Sequence, residues 1–162
     1  MDLLDRLLGH DAWTTRQLLL QCRPLTDEQL DRAFDIGHRS LRATFGHIIR
    51  NMEWWSDQMA GQPKREQRGE SVDDFISRLD CAAADLDAVA RSVAERGAWD
   101  ELWTDPEEMP SVERSYGGAI AHVITHSMHH RAQVLYLLRM VGVTETPEGD
   151  VLSWESSLDG DQ

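Results

Sequence analysis

The stretch at residues 71–96, SVDDFISRLDCAAADLDAVARSVAER, most limits what this chain folds into. Its apolar residues are Val72, Phe75, Ile76, Leu79, Ala82, Ala83, Leu86, Val89, Ala90 and Val93. They recur at spacings of three and four, which places one apolar stripe along an α-helix. Ser71, just ahead of Asp73 and Asp74, has the chemistry of an N-cap, and Gly97 that of a helix stop. A stripe on one side of a helix needs other apolar surfaces to cover it, and the rest of the chain supplies more helices of the same kind.

Residues 2–22 carry Leu3, Leu4, Leu7, Leu8, Ala12, Leu18 and Leu19, and Pro24 closes the segment. A helix is expected from Ser40 to Ala60 on Leu41, Phe45, Ile48, Met52, Trp55 and Met59. Another should run from Gly117 to Gly142 on Ile120, Val123, Ile124, Val134, Leu135, Leu138 and Val141. Thr26 and Gln29 have capping-box spacing, which predicts one further turn of helix at TDEQLDRAF. Within residues 98–116, DELWT and VERSY can pair as a short hairpin around a proline-containing turn. Four amphipathic helices without long alternating strands predict an all-α four-helix bundle, with the hairpin before the last helix. One domain over residues 1–162 is expected, with 142–162 as an acidic tail whose only large anchor is Trp154.

The charge of −13, from 29 acidic and 16 basic residues, works against nucleic acid and against anionic membrane surfaces. All the basic residues but Lys64 are arginine, and they are scattered. Cys22 and Cys81 lie far apart and read as small packing residues, not as a disulfide framework or a thiolate zinc site. The opening MDLLDRLLGHDAW mixes charge with leucine and lacks a basic-then-apolar leader pattern; no apolar run is long enough to span a bilayer. A cytoplasmic location is the expectation.

Four of the seven histidines fall in HVITHSMHHRAQV: His122, His126, His129 and His130. At about 100° per residue with Ile120 at zero, His122, His126 and His130 fall at roughly 200°, 240° and 280°, a ribbon along one edge of the apolar stripe. His129 lies near 180°, further round. His126 and His130 are i, i+4, a spacing that lets two helical imidazoles meet one ion. In TFGHIIRNMEWW, His47 sits at a matching offset, roughly 240° from Leu41, with Asn51, Trp54 and Gln58 on the same edge. Packed side by side, the two helices can bring His47 opposite the pair. A polar helix edge is the competing reading of the same spacing. The sequence lacks the glutamate of a zinc-protease HExxH motif.

The segments TFGHIIRNMEWWSDQMAGQP and GGAIAHVITHSMHHRAQVLYLLR resemble the two signature helices of the DinB-like (YfiT-like) metalloenzymes. The shared features are a histidine early in one helix, here His47, followed two turns later by an aromatic, here Trp54 or Trp55. The later H-x-x-x-H-R-x-Q is formed by His126, His130, Arg131 and Gln133. GHDAWTTRQLLLQCRPLTDEQLDRAF resembles the family's first helix and short turn; the likeness weakens over 62–116 and after 143, and HRAQ stands where HRGQ is commoner. The resemblance implies a bundle with a long crossover, a metal on His47, His126 and His130, and helix-face homodimers. It also implies transferases or isomerases that use a low-molecular-weight thiol such as mycothiol or bacillithiol. The family's damage-inducible name does not imply DNA binding.

Three neutral imidazoles leave coordination positions open, the arrangement of a catalytic ion. Zinc or nickel is expected, with iron, manganese or copper also compatible with imidazole donors. Such an ion can activate water or hold a cofactor thiol as thiolate. The resemblance makes a thiol-dependent S-transferase acting on a small electrophile the expected function. A metal-dependent hydrolase and a non-enzymatic metal-binding stress-response protein are the alternatives. Asn51, Gln133, His122 and His129 are candidate supports for the metal ligands. Arg131, at roughly 20°, falls inside the apolar stripe; an ion pair with Asp11 or Glu53 is its expected role, ahead of anchoring an anionic substrate. Trp54 is a candidate wall of the site, and His10 and His38 have no assigned role.

Overall fold

The computed structural model describes residues 1–66, 69–105 and 108–159. Among these the elements are α1 (Leu3–Cys22), α2 (Asp27–Asp31), α3 (Leu41–Met59), α4 (Val72–Arg96), β1 (Leu102–Asp105), β2 (Val112–Ser115), α5 (Tyr116–Met140) and α6 (Val151–Asp159). The fold is all-α apart from the two-stranded hairpin. Each long helix begins where the sequence offers a cap. Asp2, Ser40, Ser71 and Ser115 accept hydrogen bonds from main-chain N–H groups in the first turn of α1, α3, α4 and α5. Thr26 and Gln29 cap α2 reciprocally. Gly97 ends α4 in the left-handed conformation at φ 65°. β1 and β2 pair antiparallel with Leu102 opposite Ser115 and Asp105 opposite Val112; Pro106, in the expected turn, lies outside the described residues.

Side-chain pairs give the helix directions. Arg23–Asp73, Arg16–Asp80 and Asp5–Arg91 run α1 antiparallel to α4. Glu53 pairs with Arg78, while Asp57 and Asp85 share Arg65, so α3 and α4 run parallel. His47 lies against His130 and Trp55 against His122, making α3 antiparallel to α5. The four long helices form a ring in the order α1, α4, α3, α5, with α5 back against α1. Parallel neighbours cannot be joined by a tight turn. A 19-residue helix is about 28 Å long, and residues 60–71, extended at about 3.3 Å each, can run back along it. This is the long crossover; Gln67 and Arg68 within it lie outside the described residues.

The core is continuous. Leu18, Leu19, Leu41, Phe45, Ile48, Ile49, Met52, Leu79, Leu86, Val93, Leu137 and Leu138 are all fully buried. No helix among the described residues is long and apolar enough to cross a membrane.

Two expectations change. The acidic tail contains α6, whose Trp154 is buried over Gly9 of α1 so closely that a Cβ at position 9 would lie 2.4 Å from the indole. Glycine lets the two elements touch, and Arg6–Glu155 adds an ion pair beside the contact. Cys81 is not a packing residue: it is exposed on α4, and only Cys22 is buried.

Candidate metal centre

The site forms between α3 and α5. His47 projects from the second turn of α3, and His126 and His130 from successive turns of α5. The Nε2 atoms of His47 and His126 lie 2.9 Å apart, and those of His126 and His130 lie 3.2 Å apart. The ring centroids form a triangle with sides of 4.8, 4.6 and 4.4 Å. With metal–nitrogen bonds of about 2.1 Å, imidazole centroids should sit about 4.5 Å apart at right angles and about 5.2 Å at tetrahedral angles. The triangle matches three rings disposed around one point, close to right angles.

Hydrogen bonding and burial set the protonation. His130 donates its Nδ1–H to Gln133 Oε1 at 2.9 Å, which assigns the tautomer and leaves the Nε2 lone pair free. Burial, reinforced by the neighbouring histidines, lowers the pKa of His126 to about 3 and that of His47 to about 4. Both rings are therefore neutral at neutral pH. His126 Nδ1 is buried and finds no partner among the described residues. Three neutral imidazoles with Nε2 atoms converging at 2.9 and 3.2 Å are a donor set that fits a divalent ion.

His38 belongs to the same cluster and was missed in the sequence. It sits in the loop before α3, and a ring nitrogen from each of His38, His47 and His130 falls within a sphere of mutual distances of 4.8 Å. Its ring stacks on His47 at 3.8 Å and 29°. That is closer than about 4.5 Å, the separation expected of two rings bound edge-on to one ion. His38 covers the face of His47. The loop is held close by Gly37, at φ 42°, where a Cβ would lie 2.2 Å from Gln133 Oε1. Nothing in helix periodicity signals this approach; the Gly-His pair ahead of the α3 cap is the only trace.

The other candidates divide. Gln133 touches His130 directly, and its Nε2 lies 3.1 Å from His129 Nε2. His129 also packs edge-on against His130, at 5.0 Å between centroids, so it borders the triangle from outside. His122 packs against His126 at 5.2 Å and against Trp55 at 5.1 Å between centroids, making no hydrogen bond to the triangle. Asn51 Oδ1 is buried and unpartnered, so it supports no histidine. Trp54 does form a wall, though of the neighbouring cavity. That cavity, about 450 Å³, is lined by Asn51, Trp54, Trp55, His122, Arg114 and Asp105, among others, and adjoins the histidines through His122. Arg114 lies over Trp55 and pairs with buried Asp105. Arg131 turns away from the histidines: it is buried in an ion pair with Asp11, while Glu53 pairs with Arg78.

Among curated proteins, none matches this chain. The family model described as DinB family matches residues 1–156, a span that includes every residue of the histidine cluster, and the chain belongs to the DinB family.

Proposed function

We propose that the chain is a metal-dependent S-transferase. His47, His126 and His130 hold one divalent ion, zinc or nickel, and a low-molecular-weight thiol is joined to a small electrophile beside it. The observation that carries this reading is the convergence of the His47, His126 and His130 Nε2 atoms at 2.9 and 3.2 Å, with His122 linking them to the aromatic cavity. A bound ion would supply Lewis acidity and hold the thiol sulfur as thiolate. The chain's own residues do the rest. Gln133 fixes the His130 tautomer and ring plane. His38 shields one face of His47. His122 lines the cavity, with its pKa lowered by burial and by Arg114, so its neutral ring can take the thiol proton. Trp54 and Trp55 supply flat apolar walls.

The protein does not supply the sulfur. Cys22 is buried with its thiol pushed up to about 12, and Cys81 lies on the outside of α4. The test is metal analysis of untagged protein, followed by thiol consumption with mycothiol or bacillithiol and a panel of electrophiles. The reading requires one ion per chain and turnover that depends on both thiol and metal. Ester hydrolysis that needs no thiol assigns a hydrolase instead. A bound ion without turnover of either kind assigns a metal-binding protein without catalysis.

A further inference from the structure

His38 is the one histidine of the cluster that no helix carries. Its loop is nonetheless built to keep it there. Gly37 lies flat against the Gln133 amide, the same amide whose oxygen accepts from His130, and a Cβ at position 37 would lie 2.2 Å from that oxygen. Arg39 closes the loop. Its carbonyl accepts from the Phe34 N–H at 2.8 Å, and its N–H donates to the Ile36 carbonyl at 2.7 Å. It does so at φ 73°, a left-handed conformation that a side chain disfavours. Such strain persists where the surroundings enforce it, and it gathers at ligand clamps and switches.

The ring held in this way is close to a ligand's position without occupying one. Its centroid lies 5.1 Å from that of His130, the spacing of two imidazoles at a nearly tetrahedral angle on one ion. Only its approach to His47, 3.8 Å, is too close. Sliding the ring off His47 to about 4.5 Å gives it the spacing of a co-ligand there as well. One nitrogen each of His38, His47 and His130 already lies within 4.8 Å of the other two, against about 4.2 Å for donors on opposite sides of one ion. Among the described residues neither ring nitrogen of His38 has a hydrogen-bond partner. The ring makes face contacts alone, so nothing polar is broken when it moves.

We propose that His38 is a fourth, exchangeable ligand of the ion proposed for His47, His126 and His130. The inference rests on that ion and adds a second state to it. With no other ligand present, His38 moves onto the ion and closes the centre with four imidazoles, the closed arrangement of a structural site. An incoming ligand displaces it and leaves the three-imidazole, open arrangement of a catalytic site. His38 is the ligand that gives way because of where the four are mounted. His47, His126 and His130 stand on helices fixed by the core, whereas His38 stands on a loop held by a few hydrogen bonds and strained at Arg39.

The experiment loads the full chain with cobalt(II) and counts ligating imidazoles by proton NMR, in which each gives its own set of hyperfine-shifted ring protons. The parent should show four sets and His38→Ala three, with one cobalt per chain in both and cobalt affinity at least tenfold weaker in the variant. His38→Phe keeps a ring to stack on His47 and removes the nitrogens, so it should match His38→Ala. Saturating azide should take the parent from four sets to three and leave the three of His38→Ala in place. Three sets in the parent, four in His38→Ala, parental affinity in His38→Phe, or four sets persisting under azide would each overturn the proposal. Repeating the titration with 2-mercaptoethanol separates it from the S-transferase reading. Azide displacing His38 while the thiol fails to bind removes that reading and keeps this one. Three sets in the parent, with the thiol bound, does the reverse. A chain that binds no cobalt removes both.

Discussion

Replacing Asp11 with alanine would leave the Arg131 guanidinium, 4% exposed, without its anion at the α1–α5 contact. Breaking a buried pair from one side costs about 3–5 kcal/mol, because the surviving charge keeps its desolvation penalty. The local geometry puts this case at the lower end. Arg131 also donates to the main-chain carbonyl at position 11 and to Thr15 Oγ1, and both acceptors survive the substitution. A loss of roughly 3 kcal/mol is expected. For a chain of this size that corresponds to a fall in Tm of about 6–12 °C. The double variant Asp11→Leu with Arg131→Met removes both charges and keeps the volume filled. It should return to within about 1 kcal/mol of the parent. Urea unfolding followed by far-UV circular dichroism measures all three proteins. Asp11→Ala costing less than about 1 kcal/mol would mean that the pair behaves as a solvated surface bridge, and the burial argument would fail. A double variant as unstable as the single one would show that packing, not the stranded charge, sets the loss.

His126→Ala should lose the metal and keep the bundle, because the apolar core needs no ion. The stability lost is the linkage term alone, on the order of a few kcal/mol at saturating metal, and outright unfolding would make the site structural. His129→Ala and His38→Ala should both retain one ion per chain by metal analysis; loss in the His38 variant with retention in the His126 variant would reassign the donor set. In native protein a thiol reagent should titrate Cys81 at once and Cys22 only after denaturant is added, since burial both hides the Cys22 thiol and disfavours its thiolate. Tyr136 and Met140, 47% and 45% exposed one turn apart on α5, leave apolar surface for a second copy. Light scattering should therefore report a dimer mass at micromolar concentration, and a monomer mass would remove that expectation.

The long helices were legible because each carries a stripe, and a stripe depends only on local spacing. Arg131 shows how far such reasoning reaches: its angle placed it in the core, which made an ion pair with Asp11 or Glu53 the expectation. The choice between the two acids needed helix order, which periodicity does not carry. The angular offsets that put His47, His126 and His130 on helix edges likewise said nothing of register. His38 was illegible for a different reason. Its position follows from a loop with Gly37 at φ 42° and Arg39 at φ 73°, and no repeat encodes such a path. α6 was hidden because nine residues are too few for a clear stripe and its anchor is a single tryptophan seated on Gly9, more than a hundred residues earlier in sequence.

His47 and His126 meet across 79 residues of chain, whereas His126 and His130 are one helical turn apart. Bringing the distant ring to the local pair in an unfolded chain costs about 4 kcal/mol of closure entropy. A chain leaving the ribosome can therefore offer a passing ion at most the two-toothed grip of a nascent helix. The third tooth arrives only when α3 has docked on α5, after the core between them has closed. On the proposed donor set, capture of an ion is a late event that reports completed assembly. A metal-loaded fraction measured during refolding would count finished bundles, not helices.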